Sequence, residues 1–189
     1  ATAFTAQHGF QMWHGFATCL RAWADLAHGK ARQALDGVTL GRTMLQATGT
    51  RFLLPLLSVI DAQALAANGD LDRAQAVLRE AQRHQDATAE RWLACEVWRT
   101  LGDVQRLIPG IKTSVVEGAY QQALDLSQVQ GARSWELRAA TSLAALWLEG
   151  GESSRAAALL QRVCSNPLSG APCADMDEAQ RMILRIQNA

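Results

Sequence analysis

The chain has no excess of charge, because its 18 lysines and arginines balance 18 aspartates and glutamates. This balance argues against a surface that holds nucleic acid or anionic lipid through counterion release, so we expect neither among the partners. The chain also lacks the run of about 20 apolar residues that a helix needs to span a bilayer. Its most apolar stretch, RFLLPLLSVI, is interrupted by Pro55 and followed by Asp61.

Sequence motifs for common enzyme chemistry are missing as well. The sequence contains no GxxxxGK[ST], HExxH, GxSxG or GxGxxG segment, so it lacks the usual signals for phosphate loops, zinc hydrolases, serine nucleophiles and dinucleotide folds. We therefore predict no enzymatic activity and no cofactor.

The chain does not begin with a charged region followed by an apolar stretch, nor with methionine. We therefore expect no secretory signal, and a segment cut from a longer protein.

The cysteines give no sign of a metal site. Cys19, Cys95, Cys164 and Cys173 form no CxxC pair, and no histidine lies near them at zinc-binding spacing. We expect no bound metal and four free thiols in a reducing cytoplasm, although the short spacing between Cys164 and Cys173 leaves a disulfide between them open.

A period of about 40 residues runs through the chain. Small residues recur at Ala22, Ala62, Gly102 and Ala144, in steps of 40, 40 and 42 residues. Each lies in an apolar helical segment that opens with a large aromatic residue, and a turn follows about seven residues later. A second segment then has small or branched residues at i, i+4 and i+7, the spacing of one buried helix face.

These paired segments predict helical hairpins. One hairpin cannot cover its own apolar face, so neighbouring hairpins must stack. We therefore predict an all-α fold, an α-solenoid of four antiparallel hairpins with a C-terminal capping helix, forming a single domain over residues 1–189. The predicted hairpins are 10–49, 50–89, 90–131 and 132–165, the capping helix is 175–187 with Asp175 as its N-cap, and residues 1–9 are the tail of an upstream repeat.

Two further features of the repeat can be tested against a structure. The second helices end at Gly9, Gly49, Ala89 and Gly131, where a left-handed residue, usually glycine, is expected. Trp13, Trp92 and Trp135 occupy equivalent positions and are predicted to anchor the packing within their hairpins.

The repeat resembles a known family. The pattern small residue, turn glycine and Ala-x3-Leu-x2-Ala, seen at Ala62, Gly69, Ala74, Leu78 and Ala81, resembles the tetratricopeptide repeat (TPR) lengthened from about 34 residues. The segments GTRFLLPLL, ERWLACEVWRTLGD and above all AYQQALDLSQVQGARSWELRAATSLAALW resemble the C-terminal helical region of bacterial multidomain STAND-type ATPases. In those proteins a nucleotide cyclase domain or a DNA-binding regulator domain precedes the ATPase and these repeats.

The resemblance implies a function for the chain. It would be a non-catalytic, TPR-like protein–protein interaction and regulatory module of a cytoplasmic signalling protein of the cyclase/ATPase type. Its partner would be a protein or peptide segment, such as the ATPase domain of the same protein. The alternative is an effector-binding domain of an ATP-dependent transcriptional regulator, with a small ligand near Phe16 and Trp23.

If the tetratricopeptide geometry applies, the first helices of the hairpins line a concave groove. Its lining residues would lie six and three positions before each small residue and one position after it: Phe16, Cys19 and Trp23; Leu56, Val59 and Gln63; Glu96, Arg99 and Asp103; Arg138, Thr141 and Ala145. The groove would be apolar in its first half and charged in its second, which suits an amphipathic or extended peptide. Alternatively, Glu96, Arg99 and Asp103 merely pair with one another on a solvated face, and Phe16 and Trp23 pack against an upstream hairpin.

Overall fold

A computed structural model of the protein describes residues 10–50, 54–165 and 174–188. Nine helices cover these residues, which contain no strand. They are α1 Gln11–Ala27, α2 Ala31–Ala47, α3 Leu54–Ala67, α4 Leu71–Thr88, α5 Ala94–Arg106, α6 Thr113–Val129, α7 Arg133–Glu149, α8 Ser153–Cys164 and α9 Ala174–Gln187. Consecutive helices pack as hairpins, so the prediction of an all-α, solenoid-type fold is confirmed.

The chain divides into two compact units, residues 1–93 and residues 94–189. In the first unit α1 pairs with α2 and α3 pairs with α4, while α3 also packs against α2 and α1. In the second unit α5 pairs with α6 and α7 with α8, and α9 packs against α7 and α8. The expected upstream tail, residues 1–9, lies outside the described residues. No helix in the described part of the chain is both long and apolar enough to cross a membrane.

Three hairpins turn in the same way. The first helix ends before Gly29, Gly69 or Gly151, whose φ angles of 75°, 85° and 79° lie in the left-handed region. The amide of the next residue then donates a hydrogen bond to the carbonyl five positions earlier, as in Lys30 to Asp25 at 2.9 Å and Asp70 to Leu65 at 2.9 Å. This geometry is the Schellman motif, which satisfies carbonyls at the end of a helix.

The end of α4 differs from the ends of α2 and α6. Ala89 has φ 59°, and no other non-glycine residue in the described ranges has a positive φ, whereas Gly49 and Gly131 occupy the corresponding positions. The left-handed conformation costs an alanine about 1–2 kcal/mol, and glycine avoids this cost. The repeat predicts a glycine at this position. The backbone adopts the left-handed conformation that favours glycine, although the residue is alanine.

We expect Ala89→Gly to raise the free energy of unfolding by about 0.5–1 kcal/mol, because relief of the left-handed strain exceeds the extra entropy of glycine in the unfolded chain. Urea denaturation measures the change. The matched variant Gly131→Ala should lower the same free energy by about 1 kcal/mol. Equal stabilities for Ala89→Gly and the parent chain would show that Ala89 carries no strain.

The small positions of the repeat are places where helices approach closely. Ala22, Ala62 and Ala144 are 0–1% exposed. At Gly102 a methyl group would lie 2.5 Å from Cε1 and 2.6 Å from Cδ1 of Tyr120, a fully buried side chain. The ring of Tyr120 thus fills the space that the missing side chain leaves.

The predicted tryptophan anchors are wrong in two of three cases. Trp13 is 53% exposed and Trp92 is 47% exposed. Trp135 is partly exposed, and the guanidinium of Arg138 lies 5.2 Å from its ring centre. The buried tryptophan of this unit is Trp147, whose Nε1 donates to Glu117 at 2.9 Å. A shared repeat position does not ensure shared burial, because burial also depends on which neighbouring helix covers the position.

Candidate functional site

An open depression of about 230 Å³ lies in the second unit, where α5, α7 and α9 meet. Three predicted groove residues line it: Arg99 of α5, and Arg138 and Thr141 of α7. Ser142 of α7 and two acidic residues of α9, Asp175 and Glu178, complete its walls. The structure therefore brings together residues that are up to about 80 positions apart in the sequence.

Arg99 is the centre of an ionic network at this depression. Its Nε donates to Glu96 Oε2 at 2.8 Å, its Nη2 donates to Glu96 Oε1 at 2.6 Å, and its Nη1 donates to Asp103 Oδ2 at 2.6 Å. The three residues lie on α5 at i−3, i and i+4, so helical spacing alone places them side by side. The Glu96 side chain is only 4% exposed and that of Arg99 only 15%.

The environment holds Arg99 in its charged form. Burial opposes the charge, but the hydrogen bonds to Glu96 and the negative charges of Asp103 and Glu96 outweigh burial and raise the pKa of Arg99. The expected pairing of these three residues is therefore present, but it forms largely shielded from water. Shielding makes each partner depend on the other, because a buried charge without a partner is strongly unfavourable.

Tyr120 extends the network to α6. Its hydroxyl donates to Asp103 Oδ1 at 2.8 Å. Burial of the phenol raises the pKa of Tyr120, as do the charge of Asp103 and this hydrogen bond, so Tyr120 is a neutral donor. Both carboxylate oxygens of Asp103 are thus occupied, one by Tyr120 and one by Arg99.

Arg138 extends the network to α9. Its Nε donates to Asp175 Oδ2 at 2.8 Å, and its Nη1 lies 3.8 Å from Glu96 Oε1. The helix α9 begins at Ala174, so Asp175 lies within its first turn and is not the predicted N-cap. The carboxylate of Asp175 instead accepts a hydrogen bond from Arg138 of α7, a contact that spacing along the chain does not predict.

Several polar groups at the depression retain bonding capacity. The Thr141 hydroxyl donates to the Leu137 carbonyl at 2.8 Å, which leaves its lone pairs available as acceptors. The Ser142 hydroxyl is partly exposed in the wall. Glu178, whose side chain is 46% exposed, pairs with Arg181 at 2.6 Å. A ligand could therefore meet hydroxyl, carboxylate and guanidinium groups without first breaking the buried part of the network.

The other predicted site residues belong to the first unit. Phe16, Trp23 and Leu56 are partly buried against its apolar cluster, and Gln63 is partly buried on α3. Phe16 also meets the ring of Trp13 edge to face, with ring centres 6.4 Å apart. These side chains lie on α1 and α3, whereas Arg99, Arg138 and Thr141 line the depression of the second unit.

Three expected lining residues are buried instead. Cys19 is 0% exposed, Val59 1% and Glu96 3%, so none of them can line an open groove. A methyl group on Gly41 of α2 would collide with the Cys19 sulfur, which shows how tightly α2 covers this face of α1. The groove prediction failed at these positions because a stacked helix is covered from more than one side.

Ser142 and Glu178 were not predicted. Ser142 directly follows Thr141, and Glu178 lies one turn after the first residue of α9. The acidic start of α9 was the one sequence signal available for Glu178. No spacing rule connects it to α5 or α7.

Comparison with known proteins leaves function to be argued from the structure, since no protein-family model matches the chain and no curated protein is significantly similar to it.

Within the described ranges, no three His, Cys, Asp or Glu side chains are grouped so that they could hold a metal ion. Cys19, Cys95 and Cys164 are free thiols, and burial raises the pKa of Cys19 and of Cys95 to about 11. Cys173 lies outside the described residues.

Proposed function

We propose that the chain is a non-catalytic protein–protein interaction and regulatory module that binds a segment of a partner protein in the depression of its second unit. The observation that carries this proposal is the convergence of Arg99, Arg138 and Thr141 on one depression, together with polar side chains of α9. Stacked helical hairpins commonly bind partners through surfaces formed by successive repeats.

The size of the depression favours a peptide over a small-molecule effector. Pockets for small molecules usually measure about 300–1,000 Å³, whereas this depression measures about 230 Å³. A space of this size suits one side chain of a longer segment, whose remaining residues would lie along the neighbouring helices. Within this depression, the comparison favours a side chain of a peptide over a small-molecule effector.

The ionic network supports recognition by fixing the walls in advance. Arg99 is held by three hydrogen bonds and Arg138 by Asp175, so neither side chain is free to change rotamer without losing a charged partner. Side chains that are already ordered lose little entropy when a ligand binds. The depression is therefore suited to selecting a partner by its pattern of polar groups.

We further propose the setting that the sequence resemblance implies. The module would belong to a cytoplasmic bacterial multidomain signalling protein of the cyclase/ATPase type, and its partner segment would lie in the STAND-type ATPase domain. The resemblance of AYQQALDLSQVQGARSWELRAATSLAALW, which spans α6 and α7, supports this setting. Both helices take part in the network at the depression.

The variant Ser142→Trp tests the proposal, because an indole at this position fills the depression without removing any charge. Peptides that bind the parent chain would be selected from a phage-displayed random library, and their affinity measured by fluorescence anisotropy. We expect Ser142→Trp to weaken the binding of the selected peptides by about tenfold or more, equivalent to about 1.4 kcal/mol. The matched control is Ser134→Trp, at an exposed serine of the same helix that does not line the depression.

If the selected peptides bind Ser142→Trp with unchanged affinity and still saturate it, the depression is not the binding site. Equal losses in both tryptophan variants would point to general damage of α7 and would also contradict the proposal. Circular dichroism of each variant establishes that the helices remain folded before binding is measured.

A further inference from the structure

Three residues that line the depression of the second unit have unused hydrogen-bond acceptors. Asp175 accepts from Arg138 through Oδ2 at 2.8 Å, and Glu178 Oε2 lies 2.6 Å from Nη2 of Arg181. Among the described residues, no hydrogen bond reaches the second oxygen of either carboxylate. The Thr141 hydroxyl donates its proton to a carbonyl of its own helix, so towards a ligand it can act only as an acceptor.

The two arginines in the walls are less available to a ligand. Arg99 donates three hydrogen bonds to Glu96 and Asp103, and its side chain is only 15% exposed. Arg138 is 33% exposed and pairs with Asp175. An anionic ligand at Arg138 would compete with this carboxylate and would approach the other carboxylate in the wall. The arginines therefore hold acidic side chains in place and do not form an open cationic site.

The charges at the depression also favour a cation. The charged residues that line it, together with the charged residues that these contact, are three arginines and four carboxylates, which leaves a net charge of −1. They are Arg99, Arg138 and Arg181, and Glu96, Asp103, Asp175 and Glu178. A basic side chain would neutralise this charge, whereas a carboxylate or phosphate would add to it. Charge complementarity of this kind determines which partner an interface accepts.

We propose that the partner segment inserts a basic side chain into the depression, and that its charged group binds the free carboxylate oxygens of Asp175 and Glu178. Lysine suits the site best, because its ammonium has three donors and no acceptor, matching Asp175, Glu178 and Thr141. This inference rests on the proposed function, since it specifies what the bound peptide presents to the same depression.

The helix α9 offers a matched pair of positions for a test. Asp175 and Glu178 are three positions apart, so they share one side of the helix. Asp177 lies between them in the sequence, is exposed, and does not line the depression. Removing a negative charge at Asp177 or at Glu178 therefore changes the charge of α9 equally, but only Glu178 belongs to the proposed site.

The first experiment identifies the residue that enters the depression. It uses peptides selected by phage display on the parent chain whose binding Ser142→Trp weakens, because these peptides bind through the depression. We expect each to contain one lysine or arginine whose replacement by norleucine weakens binding by about tenfold or more, measured by fluorescence anisotropy. Norleucine keeps the apolar stem of lysine and removes its charge.

The second experiment measures the coupling between this residue and α9. We expect Glu178→Gln to weaken the lysine peptide by about fivefold and to leave the norleucine peptide unchanged. The control Asp177→Asn should affect both peptides equally. Glu178→Lys should reverse the preference, so that a peptide with glutamate in place of the lysine binds more tightly than the lysine peptide.

Two results would overturn the basic side chain while the interaction module stands. One is that peptides dependent on the depression keep their affinity when each of their basic residues is replaced. The other is that they depend instead on an aspartate or glutamate. Equal effects of Glu178→Gln on the lysine and norleucine peptides would overturn the contact with Glu178.

A different result concerns the proposed function itself, namely that Ser142→Trp weakens no selected peptide. The chain is then titrated with N-acetyl-lysine amide and, for comparison, N-acetyl-norleucine amide, and the backbone amide signals of Thr141 and Ser142 are followed by NMR. We expect shifts with the lysine compound that are absent with the norleucine compound and reduced in Glu178→Gln. Identical responses to the two compounds would overturn the preference for a basic group.

Discussion

Replacing Arg99 with methionine is expected to lower the free energy of unfolding by about 3–5 kcal/mol, because it takes from the buried carboxylate of Glu96 the cation that forms both of its hydrogen bonds with Arg99. Glu96 loses two hydrogen bonds and Asp103 loses one, and the Glu96 side chain is only 4% exposed. Methionine keeps the length and much of the apolar contact of arginine, so the loss reports mainly on charge. Urea denaturation monitored by circular dichroism measures the change.

The matched control for Arg99→Met is Arg83→Met. Arg83 pairs with Glu80 at 2.5 Å with the same i, i+3 spacing, but the two side chains are 74% and 68% exposed. Such a solvated pair contributes about 0–1 kcal/mol, so the control should be nearly neutral. Adding Glu96→Gln to Arg99→Met should recover about 1–2 kcal/mol, because it removes the unpaired charge. Losses of similar size in Arg99→Met and Arg83→Met would contradict a buried network.

Replacing Gly102 with alanine is expected to lower the free energy of unfolding by about 2–3 kcal/mol, in spite of the better helix propensity of alanine. Propensity favours alanine by about 1 kcal/mol in a helix interior. The new methyl group, however, would lie 2.5 Å and 2.6 Å from two ring atoms of Tyr120. The ring is fully buried and its hydroxyl is fixed by Asp103, so relief requires displacement of packed atoms.

The matched control for Gly102→Ala is Gly118→Ala in the neighbouring helix α6. A methyl group on Gly118 would meet no atom within 4 Å, so this variant should raise stability by up to about 1 kcal/mol. Combining Gly102→Ala with Tyr120→Leu should cost less than the sum of the two single changes, because the collision disappears with the ring. Stabilisation by both glycine replacements would show that Gly102 is not a close-contact position.

Much of the fold could be read from spacing along the chain. The small residues Ala22, Ala62 and Gly102 predicted close helix contacts, and turn glycines such as Gly29 predicted where first helices end. These features are legible because helix periodicity and the left-handed turn act over a few residues. Even the departure at Ala89 follows the repeat, since the left-handed conformation is kept although the residue is not glycine.

The site was only partly predictable. The grouping of Glu96, Arg99 and Asp103 follows from positions on one helix, and the structure places Arg138 and Thr141 beside them. The same spacing rule wrongly predicted that Cys19 and Val59 line a groove. Spacing gives the direction of a side chain but not the helix that covers it. The tryptophan prediction failed for the same reason, most clearly at Trp13.

The sequence by itself determined the helices, their pairing into hairpins and the residues that share one helix face, because these depend on interactions between residues close together in the chain. The tertiary structure decided that α9 brings Asp175 and Glu178 to the depression and that Tyr120 fills the space at Gly102. Those outcomes depend on which helices meet across long stretches of chain, and stacking between hairpins is set by shape and charge that emerge only after the helices have formed.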